Sequence, residues 1–153
     1  MMTMTKRAVT ILIAEDDDGH ASLIQRNLRR AGWDHPFIRF RDGNETYSFL
    51  FSDEPASPLQ QAGSYLLLLD IRLPKINGIE ILRAIKKDSN LRRMPVVILT
   101  TTDDPKEVKL CHELGCSCYI RKPLEYDDFV KAIRQLGLLL MLVEVPEIAR
   151  STQ

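Results

Sequence analysis

The sequence predicts an α/β fold in which a parallel sheet is covered by helices on both faces. Five short apolar runs are typical of strands buried on both sides, and they alternate with five segments whose apolar residues recur at helical spacing. Such alternation favours a parallel sheet joined by right-handed crossovers. The 153 residues are 44% hydrophobic and show no internal repeat, so a single core is expected. The pattern leaves the strand order open.

Two strands and two helices are predicted in the first third of the chain. The first strand, Ala8–Ala14, is almost wholly apolar and ends in four consecutive acids. The first helix spans roughly Gly19–Ala31, and Gly32 follows as a stop signal. The segment Phe37–Phe40 indicates a second strand, and the Asp-Gly pair after it turns the chain into a short helix that extends to Phe51.

The third strand, Leu66–Leu69, follows the one unusually long connection. Residues 52–64 are rich in proline, serine and glutamine, which predicts a surface loop suited to carrying a contact. After the strand, the pairs Leu73-Pro74 and Asn77-Gly78 are loop signals, and they precede an amphipathic third helix that begins at Ile79.

The fourth strand, Val96–Leu99, is followed by three threonines and a helix with a clear start signal. Asp104 and Pro105 have the positions of an N-cap and a first helical residue, and Glu107 is placed for a capping box. This fourth helix is expected to end at Gly115.

A fifth strand and a fifth helix complete the predicted domain, which covers residues 8–136. The strand is Cys118–Ile120, and the helix begins near Tyr126 and includes Leu136. Residues 1–7 are polar and are expected to be flexible. Residues 137–153 contain Leu138–Val143, which would present apolar side chains all round a helix. Because an exposed apolar patch usually marks an interface, we expect this extension to form a homodimer contact.

Composition argues against several classes of protein. Lysine plus arginine balance aspartate plus glutamate at 21 each, so no overall field favours nucleic acid or a membrane surface. No run approaches the roughly 18 apolar residues that a membrane-spanning helix needs. Three cysteines without zinc spacing or a signal peptide indicate reduced thiols and a soluble cytoplasmic protein. The scattered histidines, His20, His35 and His112, are interpreted as structural or surface residues.

Polar side chains follow four of the five predicted strands. Glu15 and Asp16 come after the first strand, Asp70 after the third, Thr100 after the fourth and Lys122 after the fifth. Because the carboxyl ends of parallel strands meet at one edge of the sheet, we expect these side chains to lie together. Three neighbouring carboxylates repel one another unless a cation lies between them. The pattern therefore predicts a site for a hard divalent ion, Mg²⁺ or Mn²⁺.

The same residues suit phosphoryl transfer. Asp70 would be the nucleophile that accepts the group, while Thr100 and Lys122 would offer a hydroxyl donor and a positive charge to its oxygens. The metal ligands would be Glu15, Asp16, Asp70 and the backbone carbonyl of Arg72. Taken alone, Asp70 could also be a strand-end cap. The other site residues, each at a matching strand end, favour the phosphoacceptor interpretation.

Four segments at these strand ends resemble the receiver domain of bacterial two-component response regulators, the type of domain found in chemotaxis regulators. The segments are residues 11–17, 66–78, 95–100 and 119–123, and the resemblance as a whole covers about residues 8–136. It implies a flavodoxin-like, doubly wound sheet of five parallel strands in the order 2-1-3-4-5.

The resemblance also implies a function. A sensor histidine kinase would transfer a phosphoryl group to Asp70 with the help of Mg²⁺, and the signal would pass on through protein–protein interaction. Such a protein is not an enzyme beyond its own phosphotransfer and autodephosphorylation. The matched positions make Thr100 and Tyr119 the switch residues and Lys122 the phosphate-contacting lysine, with a cis bond expected between Lys122 and Pro123.

The long loop, the three threonines and the segment 118–123 resemble more narrowly the stand-alone regulators of bacterial and cyanobacterial phytochromes, which would make a bacteriophytochrome the kinase. Glu15 stands where the family more often has aspartate, a variation that should preserve metal binding. Arg72 and Thr102 occupy positions where the family varies and where phosphoryl lifetime is tuned, so the resemblance fixes the site but not the rate of dephosphorylation.

Three other functions remain as alternatives. The chain could be a phosphorelay intermediate, a pseudo-receiver that binds a partner without being phosphorylated, or a phosphohydrolase that forms an aspartyl phosphate. Arg72 argues against the hydrolase, because those with a paired-aspartate motif carry an acid two residues after the nucleophile. The retention of every site residue argues against the pseudo-receiver.

Overall fold

The computed structural model describes residues 8–55, 57–60 and 63–149, so the expectation for residues 1–7 lies outside the described residues. The strands are β1 (Val9–Ala14), β2 (Phe37–Phe40), β3 (Gly63–Leu69), β4 (Val96–Thr100), β5 (Cys118–Arg121) and β6 (Glu147–Ile148). The helices are α1 (Asp18–Arg30), α2 (Gly43–Leu50), α3 (Gly78–Lys87), α4 (Pro105–Leu114) and α5 (Tyr126–Leu140). Across this part of the chain, no helix is long and apolar enough to cross a membrane.

Five parallel strands form the sheet in the order β2-β1-β3-β4-β5, which confirms both the fold class and the strand order. β1 and β3 are central, and their register runs from Val9 opposite Ser64 to Ala14 opposite Leu69. Helices α1 and α5 cover one face of the sheet, while α2, α3 and α4 cover the other. All five parallel strands therefore end at one edge.

Alternate residues of the central strands divide between the two faces. Leu67 and Leu69 of β3 face the α2–α4 side, whereas Leu66 and Leu68 face α1 and α5. All four are at most 1% exposed. Burying such a side chain stabilises the fold by about 1.5–3 kcal/mol. This two-sided burial explains the unbroken apolar run and fixes the position of Asp70, which follows it.

The C-terminal segment adds a sixth strand that the sequence pattern does not predict. β6 pairs in antiparallel orientation with the start of β3, so that Gly63 lies opposite Ile148 and Ser64 opposite Glu147. β3 consequently begins at Gly63, before the predicted Leu66. The prediction that residues 52–64 are wholly a surface loop is therefore wrong, and Leu59 within it is fully buried.

Helix α5 continues past Leu136 into the C-terminal extension and ends at Leu140. Leu136 and Leu140 are buried against α1 and the sheet, because this stripe of the helix keeps the spacing of its earlier apolar residues. Leu138, Leu139 and Leu142 remain more than half exposed. The apolar extension is thus divided between the core of its own chain and an exposed surface.

The start of α4 confirms one predicted contact and corrects another. Asp104 caps the helix by accepting a hydrogen bond from the Lys106 backbone N–H at 3.0 Å. The predicted capping box is wrong, because the Glu107 carboxylate instead accepts a bond from Arg72 Nη2 at 2.8 Å. The Asp104 backbone N–H, which the box would have used, donates to the Thr102 hydroxyl.

Candidate functional site

The carboxyl edge of the sheet carries four buried polar side chains. Glu15, Asp70, Thr100 and Lys122 stand at the ends of β1, β3, β4 and β5, and each is at most 6% exposed. Asp16 is exposed, and one of its carboxylate oxygens lies within 4.8 Å of oxygens from Glu15 and Asp70. Polar groups buried to this degree need partners or a ligand.

Lys122 connects the carboxylates. Its Nζ donates hydrogen bonds to Glu15 Oε1 and, at 3.1 Å, to Asp70 Oδ2, and it lies 3.3 Å from His20 Nδ1. Its backbone N–H donates to the Thr100 carbonyl at 2.7 Å, which ties the end of β5 to β4. One ammonium group therefore faces two buried carboxylates. Its single positive charge offsets only part of their negative charge.

The electrostatics of Glu15 reflect this imbalance. Burial raises the pKa of Glu15 from 4.5 to about 7, although the charge and hydrogen bond of Lys122 lower it, and the Asp70 carboxylate adds to the rise. At pH values between about 4.5 and about 7, Glu15 therefore keeps a proton in the folded protein that it has released in the unfolded chain. A cation bound at the site would compete with that proton.

This shift predicts how stability depends on pH in the absence of metal. The folded state binds more protons at Glu15 than the unfolded state, so its contribution to the free energy of unfolding falls as the pH rises from about 4.5 to about 7. Urea unfolding in EDTA at several pH values measures this quantity. Glu15→Gln removes the titrating carboxyl, so its curve should fall less over this interval than that of the wild type. Parallel curves would contradict the prediction.

The oxygens of the cluster fit a divalent cation. Glu15, Asp16 and Asp70 each offer one carboxylate oxygen, and these oxygens all lie within 4.8 Å of one another. Mg²⁺ and Mn²⁺ prefer such oxygen ligands and keep several waters. Because Asp16 is exposed, the cluster is open to solvent on one side.

Thr100 offers a hydroxyl to the same region. Its side chain is fully buried, and Oγ1 has no hydrogen-bond partner among the described residues. A buried hydroxyl left unpaired costs about 1–3 kcal/mol. The position therefore suits a ligand that brings an acceptor oxygen to the end of β4.

Backbone contacts fix the loop after Asp70. The Arg72 backbone N–H donates to Asp70 Oδ1 at 3.2 Å, which orients the carboxylate. A Cβ on Gly78 would lie 2.2 Å from the Asp70 carbonyl oxygen, and one on Gly43 would lie 1.9 Å from the carbonyl oxygen of Ile76. Only glycine lets α2 and α3 approach the loop this closely.

The side chains of two predicted residues make contacts outside the buried cluster. The Arg72 guanidinium pairs with Glu107 on α4, and so connects the loop after β3 to that helix. The Tyr119 hydroxyl donates to the Thr102 carbonyl at 2.9 Å, and burial raises the pKa of Tyr119 to about 12. The phenol is therefore a stable donor to the loop between β4 and α4.

His20 is the residue near the site that sequence reasoning missed. Its Nδ1 lies 3.8 Å from Glu15 Oε1 as well as close to Lys122, so the interpretation of His20 as merely structural is incomplete. The sequence feature that could have identified His20 is its position in the first turn of the first helix. The helix that follows β1 starts at the edge of the sheet where the site lies. Asp17 caps α1 by accepting a hydrogen bond from the His20 backbone N–H at 2.9 Å.

The peptide bond between Lys122 and Pro123 is trans, as are the other peptide bonds of the described residues, so the expectation of a cis bond is wrong. Trans is the isomer that X–Pro bonds favour by about 0.5–1 kcal/mol. Lys122 reaches both carboxylates with this geometry.

The residues at this edge and the strand order can be compared with known families. The family model for the response regulator receiver domain matches residues 11–134. The chain belongs to the response regulator receiver family. As a receiver domain it is a signalling protein, which agrees with the function expected from the four strand-end segments.

Individual relatives of this receiver domain include phytochrome response regulators. Response regulator Rcp1 of Synechocystis is 36% identical over 131 residues, which are 81% of this chain and 83% of Rcp1. The Mn²⁺-bound form of Rcp1 has a TM-score of 0.81 at 33% identity, with 90% of this chain and 98% of that chain covered. The phosphorylated cyanobacterial phytochrome response regulator RcpA has a TM-score of 0.82 at 28% identity, with coverage of 93% and 99%.

A receiver domain from Rhodospirillum rubrum is also similar. It is 46% identical, its TM-score is 0.86, and the match covers 92% of this chain and 99% of that chain. Together with Rcp1 and RcpA, this match confirms the predicted resemblance to receiver domains and to phytochrome-associated regulators.

Proposed function

We propose that this receiver domain accepts a phosphoryl group on Asp70 from a sensor histidine kinase and relays the signal through protein–protein contact. The observation that carries the proposal is the buried pair of Asp70 and Lys122, whose Oδ2 and Nζ atoms are 3.1 Å apart, beside the carboxylates of Glu15 and Asp16. A nucleophile and a positive charge held this close are the main requirements of phosphoryl transfer.

Each residue of the cluster has a role in this proposal. A carboxylate oxygen of Asp70 forms a bond to phosphorus while the bond from phosphorus to the histidine nitrogen of the kinase breaks. Lys122 and the hydroxyl of Thr100 stabilise the negative charge on the transferred oxygens. Tyr119, with Thr100, is proposed as the switch, because its hydroxyl is bonded to the loop that follows Thr100.

The proposed cofactor is Mg²⁺, with Mn²⁺ as a substitute. Its ligands would be Glu15, Asp16, Asp70 and the backbone carbonyl of Arg72. When bound, the ion supplies positive charge that offsets the repulsion among these carboxylates and the charge of the phosphoryl oxygens. The existence of a Mn²⁺-bound form of the relative Rcp1 supports this proposal.

Labelling with acetyl phosphate and Mg²⁺ tests the proposal. We expect one phosphoryl group per chain in the wild type, detected by intact mass, and none in Asp70→Asn, which removes the nucleophile but keeps the side-chain size. Asp128→Asn is the matched control, because Asp128 is exposed in the first turn of α5. Labelling of Asp70→Asn at the wild-type level would show that the acceptor is another residue.

We propose a phytochrome as the kinase that phosphorylates Asp70. The support comes from RcpA, which is described as a phytochrome response regulator, and from its similarity to this chain over nearly its full length. A bacteriophytochrome is accordingly the first kinase to assay for phosphotransfer.

We also propose a homodimer that forms through α5 and the C-terminal extension. Leu138, Leu139 and Leu142 are 58%, 52% and 82% exposed, and they form the apolar part of this surface. Covering such side chains with a second copy would remove apolar area from water, which favours association.

Charged substitutions at this surface test the dimer. The double variant Leu138→Glu with Leu142→Glu should have a smaller molar mass in light scattering than the wild type, because association would bury two charges. Tyr47→Glu on α2 is the control, since Tyr47 is also an exposed apolar residue but lies on a helix of the opposite face. A monomeric wild type, or equal masses for all three proteins, would disprove the proposed dimer.

A further inference from the structure

His20 is fixed at the mouth of the site by contacts on two sides. Its backbone N–H is bonded to Asp17 Oδ1 in the first turn of α1, and its ring lies against the ring of Phe129 on α5, with 5.4 Å between the centroids. The side chain is 39% exposed, so the ring lies between the buried cluster and solvent. The imidazole is therefore held in place beside Lys122 by the packing of α1 and α5.

Lys122 can donate a hydrogen bond to the His20 ring in this position. An ammonium group has three N–H donors and no acceptor. Three acceptors lie within reach of Nζ, namely Glu15 Oε1, Asp70 Oδ2 and His20 Nδ1. Because Lys122 can only donate, the contact requires that His20 Nδ1 carry a lone pair, as in one tautomer of the neutral ring.

Two of these acceptors have a second role. Glu15 and Asp70 belong to the cluster of carboxylates that fits a divalent cation, and Asp70 is the proposed phosphoryl acceptor. Of the three partners of Nζ, His20 alone belongs neither to the acidic cluster nor to the reacting group. A cation and a phosphoryl group at the site would engage the oxygens of Glu15 and Asp70, but not His20 Nδ1.

We infer that His20 is a positioning residue, which holds the Lys122 ammonium over Asp70 by accepting a hydrogen bond at Nδ1 during phosphoryl transfer. The inference rests on the proposed function of Asp70 and adds a residue to it. His20 acts through Lys122 and does not touch the phosphoryl group. Its loss should therefore slow the reaction while leaving the carboxylate cluster and its affinity for the cation unchanged.

Three substitutions separate hydrogen bonding from packing. His20→Phe keeps an aromatic ring against Phe129 but removes the acceptor. His20→Asn places an amide oxygen near the position of Nδ1 and restores the acceptor without the ring. His20→Ala removes both and suits a helix, so it replaces the phenylalanine variant if that protein does not fold. His35→Phe is the control, because His35 contacts Asp34 and Trp33 and none of the site residues.

The experiment measures the rate of Asp70 phosphorylation by acetyl phosphate at saturating Mg²⁺, together with the dissociation constant for Mg²⁺. We expect His20→Phe to lower the maximal rate about tenfold, since a misplaced catalytic group costs up to about a hundredfold. The Mg²⁺ dissociation constant should stay the same, and His20→Asn should recover most of the rate.

The possible failures are distinguishable. A wild type that takes no phosphoryl group overturns the proposed function itself. If the wild type is labelled and His20→Phe reacts at the same rate, only the role of His20 is wrong. If His20→Asn is as slow as His20→Phe, or if Mg²⁺ binding weakens in step with the rate, His20 acts through packing and the inference is overturned.

Discussion

Replacing Lys122 by methionine is expected to reduce the rate of Asp70 phosphorylation by about a hundredfold or more, because one preorganised charge that stabilises transferred oxygens is worth about that much. The same change leaves Glu15 and Asp70 buried without their cation. Removing one partner of a buried ion pair costs about 3–5 kcal/mol. We therefore also expect a lower free energy of unfolding in EDTA, which added Mg²⁺ partly restores.

The phosphorylation rate is measured by stopping the labelling reaction at a series of times, and the free energy of unfolding is measured with urea. Lys131→Met is the matched control, since Lys131 is an exposed lysine of α5 and should change neither quantity. A Lys122→Met protein that is phosphorylated at the wild-type rate would show that the ammonium group contributes nothing to the transfer. Unchanged stability in EDTA would contradict the electrostatic description of the cluster.

Gly78→Ala is expected to cause a large loss of stability without a change of charge. The new Cβ would lie 2.2 Å from the Asp70 carbonyl oxygen and 2.8 Å from the Ile71 Cα, and both of these are backbone atoms that cannot rotate away. Overpacking of this kind costs about 1–3 kcal/mol and occasionally more. Because the strain falls on the loop that orients Asp70, phosphorylation should slow as well.

Gly19→Ala is the control for this prediction. Its Cβ would meet only the Asp17 side chain, at 3.1 Å, and alanine favours helices over glycine by about 1 kcal/mol. Thermal and urea unfolding should therefore show a large fall in the free energy of unfolding for Gly78→Ala. For Gly19→Ala the same measurements should show a smaller fall or a rise. Equal stability of Gly78→Ala and the wild type would mean that the loop after β3 is free to move away from α3.

The ends of the central strands were predictable because a strand buried on both faces appears in the sequence as an unbroken apolar run. The run from Leu66 to Leu69 predicted a strand buried on both faces, and the alternation of strands and helices predicted a parallel sheet. The parallel arrangement then placed Asp70 at the edge shared by Glu15, Thr100 and Lys122. The strand order itself came from resemblance, because periodicity describes each strand and not its neighbours.

What the sequence could not predict depends on pairing between distant residues. β6 has only two residues, and it becomes a strand because Gly63 and Ser64 offer it a free backbone edge. Glu107 leaves its expected capping contact because Arg72, far away in the chain, reaches it. The same limitation applies to His20 at the site. Its proposed role depends on contacts with Lys122 and Phe129, which lie far away in the chain.

The proposed function depends above all on Asp70 as the residue that accepts the phosphoryl group. The most direct test treats the wild-type protein with acetyl phosphate and Mg²⁺, reduces the acyl phosphate with borohydride and locates the reduced residue by peptide mass spectrometry. We expect a single modified residue, Asp70, and no modification when EDTA replaces Mg²⁺. Reduction of another carboxylate residue, such as Glu15 or Asp16, or no reduced residue at all, would contradict the assignment of Asp70.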